Sequence, residues 1–237
     1  MSAFKRKSFP RTAALDEPFH RTIRSNRART CVRGLVTRRL LIASTNADKV
    51  REIRALLSGV LPDLTTLGDW PEVRAPEETG QTFDDNARQK ALYYAGATGE
   101  LTVAEDSGLE IDALEGAPGV ESARFGDVGT TYAQKFALIY DALRTRGAFD
   151  SPARFVCALA LAKDRAVLFE TRATIEGRVA REPRGNMGFG YDPIFYYPPF
   201  GATLAEATPE QKAAVSHRGK AFRALRAYML SDQLRLS

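Results

Sequence analysis

The chain has 237 residues, 44% of them apolar, and a formal net charge of +5. That length and apolar share suffice for one ordinary core; no run approaches the ~18–20 uninterrupted apolar residues of a membrane-spanning helix, and the start lacks the apolar stretch of a secretory signal. With only Cys31 and Cys157, and only His20 and His217, there is no material for a disulfide framework, a Cys/His zinc site or a multi-histidine mechanism.

The charge is unevenly placed. Residues 1–39 hold eleven Lys and Arg against two acids, which leaves the remainder of the chain four charges negative. Residues 1–38 lack apolar periodicity and read as a basic, disordered N-terminal extension. Three readings of it stay open: an organellar targeting peptide, a nucleic-acid-binding arm, or an upstream extension without function. Residues 39–237 read as a single domain.

That domain opens with an apolar strand, Leu40 to Ala43, a polar turn and a helix with Val50, Ile53, Leu56 and Leu57 on one face. Ser44-Thr45-Asn46-Ala47-Asp48-Lys49 therefore sits where a helix N-terminus offers amides and a positive dipole end to an anion. The same residues also make an ordinary helix cap. A second strand is expected near Leu64 to Leu67. The acidic loop Glu77-Glu78-Thr79-Gly80 precedes a helix from about Thr82 to Ala97, on which Asn86 and Lys90 share a face.

Leu101 to Ala104 reads as a buried strand ending at Glu105-Asp106-Ser107-Gly108, with Leu109 to Leu114 continuing beyond a kink. Two acidic pairs, Glu77-Glu78 and Glu105-Asp106, offer hard oxygen ligands for a shared Mg²⁺ and a carboxylate for an attacking water. A helix from about Thr130 to Arg144 follows, then a hairpin of Ala153 to Ala162 and Ala166 to Val179. Phe189-Gly190-Tyr191-Asp192 combines aromatic faces, close-approach glycine and an acid, the parts of a purine pocket. Lys212, His217 and Arg218, in a helical region from about Pro209, add donors suited to a keto oxygen at purine position 6. Strands alternating with helices, plus one hairpin, give an α/β protein with a mixed sheet.

Six segments in order, A-S-T-N-x-x-K-x-x-E-I at 43–53, E-E-T-G-x-T-F-x-x-N-A-x-x-K-A at 77–91, A-E-D-S-G-L at 104–109, G-A-P-G-V-x-S-A-R at 116–124, G-F-G-Y-D-P-I-F at 188–195 and K-x-x-x-S-H-R at 212–218, closely resemble the inosine triphosphate pyrophosphatase family. The resemblance implies a long mixed sheet flanked by helices, in two lobes with a central cleft. It implies Mg²⁺-dependent hydrolysis of non-standard purine triphosphates (those of inosine, deoxyinosine and xanthosine) to monophosphate and pyrophosphate, in a homodimer; the composition and the two lone cysteines read as cytoplasmic, with organellar targeting by the extension left open, and with no membrane partner and no nucleic-acid partner expected. Carried onto this chain, it assigns Ser44 to Lys49 and Lys90 to the triphosphate, Asp106 to proton acceptance and metal, Ser107 to substrate contact, and Phe189 to Asp192, Lys212, His217 and Arg218 to the base. One of Glu77 and Glu78 is the second metal ligand, with Glu105 also a candidate. Glu105 departs from the Asp found in many bacterial relatives. Two alternatives are a pyrophosphatase for modified pyrimidine nucleotides and a nucleotide sensor that binds nucleic acid through its tail.

Overall fold

The uninterrupted apolar run Leu40-Leu41-Ile42 is fully buried, as a strand covered on both faces must be. In the computed structural model, which describes residues 39–59 and 63–231, this run forms β1 (Arg39–Ile42) and pairs in parallel with β2 (Asp63–Thr66) and β3 (Leu101–Ile111). Two helices make the crossovers, α1 (Ala47–Leu56) and α2 (Phe83–Thr98). After α3 (Tyr132–Thr145) the chain forms a long antiparallel hairpin of β4 (Pro152–Lys163) and β5 (Ala166–Val179), turning at Asp164. Short strands β6 (Phe195–Tyr197) and β7 (Ala202–Thr203) complete a mixed seven-stranded sheet in the order β2-β1-β3-β4-β5-β6-β7. The chain ends in α4 (Pro209–Val215) and α5 (His217–Leu230). The basic extension expected over 1–38 lies outside the described residues.

Side chains alternate across a strand, and here they sort into separate cores. Leu40 and Ile42 of β1, with Cys157, Leu159 and Leu161 of β4, meet Ile53 of α1 and Phe222 and Leu225 of α5. On the opposite face Leu41, with Ala158, Ala160 and Ala162 of β4, meets Ala87, Ala91 and Ala95 of α2, where small side chains on both partners bring helix and sheet close. A third core at the far end of the sheet joins Leu109 and Ile111 of β3, Phe155 of β4 and Phe195 of β6 to Phe136, Ile139 and Leu143 of α3. β3 thus serves one lobe with residues 101–104 and the other with 109–111. The polar stretch Glu105-Asp106-Ser107-Gly108 lies between, at the floor of the cleft.

The expected kink at that stretch is absent. β3 runs unbroken, with Glu105 opposite Leu159 and Asp106 opposite Ala158 in a continuous antiparallel ladder. Each carboxylate finds cations on its own side of the sheet, so the backbone has no need to leave the ladder. Asp112 to Leu114 is a 3₁₀ turn rather than strand. The C-terminal helical region divides at Ser216, whose extended backbone (φ −63°, ψ 156°) ends α4 while its hydroxyl accepts the Gly219 amide and starts α5. That break turns His217 and Arg218 inward, buried at 4% and 2% exposure.

Candidate active site

Asn46 caps α1: its Oδ1 accepts the amides of Asp48 and Lys49 at 3.0 Å each, while Ser44 Oγ accepts the Asn46 amide at 3.2 Å. These amides are satisfied within the turn, so the positive character offered to an anion comes from the dipole end and from Lys49. Lys49 Nζ reaches across to Glu105 Oε1 at 2.7 Å. Asp48 turns away and pairs with Arg51 on the helix surface.

On the α2 side of the sheet, Lys90 Nζ lies 2.8 Å from Glu78 Oε1 and 3.1 Å from Asp106 Oδ1. Asn86 donates to Asp106 Oδ2 at 3.1 Å and accepts the Gly80 amide at 2.8 Å, which anchors the acidic loop to the helix. Arg124 holds the second Glu78 oxygen at 3.3 Å. Burial raises the Asp106 carboxyl above its ordinary range despite Lys90 and Lys49. Glu78 is also penalised by burial, but Lys90 and Arg124 more than offset it and lower its carboxyl. Lys90 is held protonated by Asp106 and Glu78 against burial.

Glu105 faces the other way. Burial works against its charge, yet Lys49 and Arg218 hold it well below the usual carboxylate range, and it also accepts from the Cys157 thiol at 3.4 Å. The adjacent acids therefore do not act as a twin: Asp106 joins Glu78, and Glu105 is a buried counter-ion. Glu77 is exposed, so of the acidic loop only Glu78 joins the cluster. Among the described residues no group of three or more His, Cys, Asp and Glu side chains forms a metal cage. Two oxygen-donor side chains on one cation fit Mg²⁺, which is commonly held by one or two carboxylates with substrate phosphates and water completing its shell.

A pocket adjoins this cluster, lined by Asn46, Lys49, Ser107, Phe189, Gly190, Tyr191, Asp192, Lys212, His217 and Arg218, together with Gly108, Ser122, Ala123, Tyr132 and Phe155. Gly108 permits its wall: a Cβ there would strike the Ser122 side chain and the Gly119 carbonyl. Asp192 is 2% exposed, and its Oδ2 accepts the Phe189 amide at 2.8 Å and Lys212 Nζ at 2.5 Å. That oxygen is committed to shaping the loop rather than free to receive a base. Gly188, at φ +71°, leaves it room, since a Cβ would collide with the carboxylate. Lys212 Nζ and Arg218 Cζ stand 4.6 and 5.5 Å from the centre of the Phe189 ring.

Glu52, one turn beyond Lys49 on α1, binds both cations, accepting from Lys212 Nζ and from Arg218 Nη1 at 2.8 Å each. Arg218 Nη2 donates to Ser107 Oγ at 3.0 Å, which ties the pocket to the floor of the cleft. The His217 ring stacks on Phe155 at 4.9 Å and 17°; burial, and then Arg218, push its pKa far down, so it is neutral. His217 Nδ1 and Arg218 Nε are buried without a protein partner, polar atoms of the kind a ligand satisfies. Ser44, Thr45 and Ala47 line a separate groove with Arg51, Arg54 and Trp70.

Glu52, Ser122, Tyr132 and Phe155 were not among the site residues expected from sequence. Glu52 and Ser122 stand within the segments 43–53 and 116–124, but neither carried a role of its own there.

The same arrangement of chain occurs in known proteins. A dITP/XTP pyrophosphatase of Exiguobacterium sibiricum is 43% identical over 189 residues, 80% of this chain and 96% of that protein; one from Thermus thermophilus is 44% identical over 187 residues, covering 79% and 89%. Among solved structures, a HAM1 protein from Coxiella burnetii superposes with a TM-score of 0.74 at 40% identity, over 81% of this chain and 98% of the other. The dITP/XTP pyrophosphatase of Mycobacterium abscessus gives 0.62 at 42% identity, over 79% and 98%. The Ham1 family pattern matches residues 40–228, which takes in every element of the cleft from β1 to α5, and the chain belongs to the Ham1 family.

Proposed function

We propose that this protein hydrolyses the triphosphates of inosine, deoxyinosine and xanthosine to the monophosphate and pyrophosphate, keeping these bases out of DNA and RNA. The observation that carries this is the bridging role of Arg218: one Nη group binds Glu52 beside Lys212 and the Phe189 face, and the other binds Ser107, next to Asp106. Base recognition and phosphate chemistry are thereby held on one frame. The names of the relatives, dITP/XTP pyrophosphatases at 43% and 44% identity, support the same substrates.

The donors account for selection against adenine, while guanine shares the same keto oxygen and is set apart only by the names of the relatives. Lys212 and Arg218 present N–H groups only, which suit the keto oxygen of hypoxanthine and xanthine; the adenine amino group would set donor against donor and leave a buried group unpaired, a costly mismatch. At the other end Lys49 and Lys90 offset phosphate charge. Asp106 and Glu78 would hold Mg²⁺, whose charge polarises the phosphoryl oxygens and neutralises the pyrophosphate leaving group. Asp106, its carboxyl raised by burial, accepts the proton of the water that attacks the α-phosphorus. When a triphosphate takes the lysines, Glu105 and Glu78 keep both ammonium groups in place.

In this reading residues 39–237 are the catalytic domain of a cytoplasmic protein, and the family resemblance adds a homodimer, which gel filtration with light scattering would test. The decisive assay is pyrophosphate release with Mg²⁺ from inosine, xanthosine, adenosine and guanosine triphosphates, each product identified. Preferential conversion of the first two to monophosphates is expected. Equal rates on all four would defeat the base assignment, and release of orthophosphate with a diphosphate product would defeat the bond assignment.

A further inference from the structure

Tyr132 begins α3, an element that none of the charged site residues occupies, and yet it lines the pocket. Its position is fixed from several sides. Thr131 and Gln134 close a reciprocal capping box that sets the first turn of α3. The Tyr132 ring meets Tyr191 edge-on, at 5.3 Å and 90°, and Tyr191 is in turn tied to the Ser122 carbonyl at 2.8 Å. Lys135 is buried, donates to the Ala123 carbonyl at 2.6 Å, and holds its ammonium 5.0 Å from the centre of the Tyr132 ring. The phenol oxygen lies over Gly190, where a Cβ would come within 3.6 Å of it.

This bracing leaves 39% of Tyr132 exposed, beside Phe189 and Gly190 of the pocket. A large aromatic held rigid at a pocket rim offers apolar area at low entropic cost, because only two side-chain torsions need fixing. Burial, with Asp192 and Asp48 nearby, raises the phenol further above its ordinary range, so the hydroxyl stays protonated and is a donor.

We propose that Tyr132 is a nucleoside-binding residue that closes the rim of the pocket over Gly190 and packs its ring against the bound purine nucleoside. The assignment rests on the pyrophosphatase reading above. It makes α3 a contributor to substrate affinity, with no part in the chemical step.

The test compares wild type with Tyr132→Ala, Tyr132→Leu and Tyr132→Phe, using calorimetric Kd for inosine monophosphate and KM and kcat for inosine triphosphate. Tyr93→Ala is the control, because Tyr93 is 41% exposed and also meets a neighbouring tyrosine edge-on, at 5.2 Å, but lies outside the pocket. Loss of an aromatic contact predicts about a tenfold weaker Kd and a similar rise in KM for Tyr132→Ala, with kcat within about twofold. Tyr132→Leu, which keeps an apolar contact to Tyr191, should show most of the same loss, Tyr132→Phe little of it, and Tyr93→Ala none.

A purely structural role would lower Tm in Tyr132→Ala and leave Kd and KM within about twofold of wild type, and that result would overturn the proposal. Wild-type protein that binds inosine monophosphate without releasing pyrophosphate would defeat the reaction while leaving the Kd comparison decisive. Wild-type protein that does not bind the monophosphate would overturn the assignment of Tyr132.

Discussion

Lys49 Nζ stands 2.7 Å from Glu105 Oε1, joining the first turn of α1 to the middle of β3 beneath the cleft. The Glu105 side chain is 1% exposed and also receives Arg218 at 3.5 Å. Removing one member of a buried ion pair leaves the others uncompensated, typically at a cost of about 3–5 kcal/mol. Glu105→Ala should therefore lower stability by that order in urea unfolding, while Glu105→Asp, which keeps the charge, should cost less. Because the folded carboxyl lies well below the ordinary 4.5, its stabilisation is fully present above pH 4.5 and is lost as pH falls through the folded pKa. Glu105→Gln should flatten that acid limb; an unchanged limb would show that the pair contributes nothing.

Asp106 has the opposite shift and a different consequence. Burial raises its carboxyl above the ordinary 3.8 in the metal-free protein, and a cation held by the same carboxylate works against that rise, so titration of this carboxyl followed without metal should shift to lower pH when Mg²⁺ is added. Asp106→Asn should lower kcat by at least ~10²-fold, the scale of a lost general base, with inosine monophosphate still bound. Wild-type rates in this variant would remove Asp106 from the mechanism. Since the raised carboxyl destabilises the fold when ionised, the amide should be no less stable than wild type at neutral pH.

Glu52 touches no reacting group in the proposed mechanism, but it fixes Lys212 and Arg218, the two cations proposed to meet the base, at 2.8 Å each. Glu52→Gln should loosen Lys212 and Arg218 together. The expected result is about a tenfold drop in the ratio of kcat/KM for inosine over adenosine triphosphate, the scale of one mispaired buried donor. Steady-state kinetics on both substrates would decide it: a preserved ratio means that the cations are positioned without Glu52.

The local signals that sequence carries held where periodicity was long. α1, α2 and α3 each span several turns, the β4–β5 hairpin joins two long strands, and Thr82, Thr131 and Ser216 cap helices as their chemistry allows; β1 was legible instead by its apolar run Leu40 to Ile42. Strands β6 and β7, at three and two residues, are too short to carry a period. The course of β3 through Glu105 and Asp106 was hidden because their counter-charges come from Lys49, Lys90 and Arg218, on three helices. Glu52 was hidden for the same reason, since its partners lie 160 and 166 residues away. The motifs named the residues near the cleft, and only the folded chain divided them between the Asp106 cluster, the pocket of Phe189, Lys212 and Arg218, and the groove of Ser44, Thr45 and Ala47.

Magnesium removal should separate activity from folding. A carboxylate pair that needed a metal for charge balance would repel when stripped, and the protein would lose stability in chelator. Here Lys90 sits between Glu78 and Asp106, at 2.8 and 3.1 Å, and supplies that balance from within the fold. Excess EDTA should therefore abolish pyrophosphate release while Tm moves by no more than about 2 °C, and restored Mg²⁺ should recover the rate. In Lys90→Met the shared cation is lost and only Arg124 and Lys49 remain to offset the pair, so Tm should become metal-dependent and rise on adding Mg²⁺ by mass action. A wild-type Tm that collapses in EDTA would show that the ion, not Lys90, holds these carboxylates together.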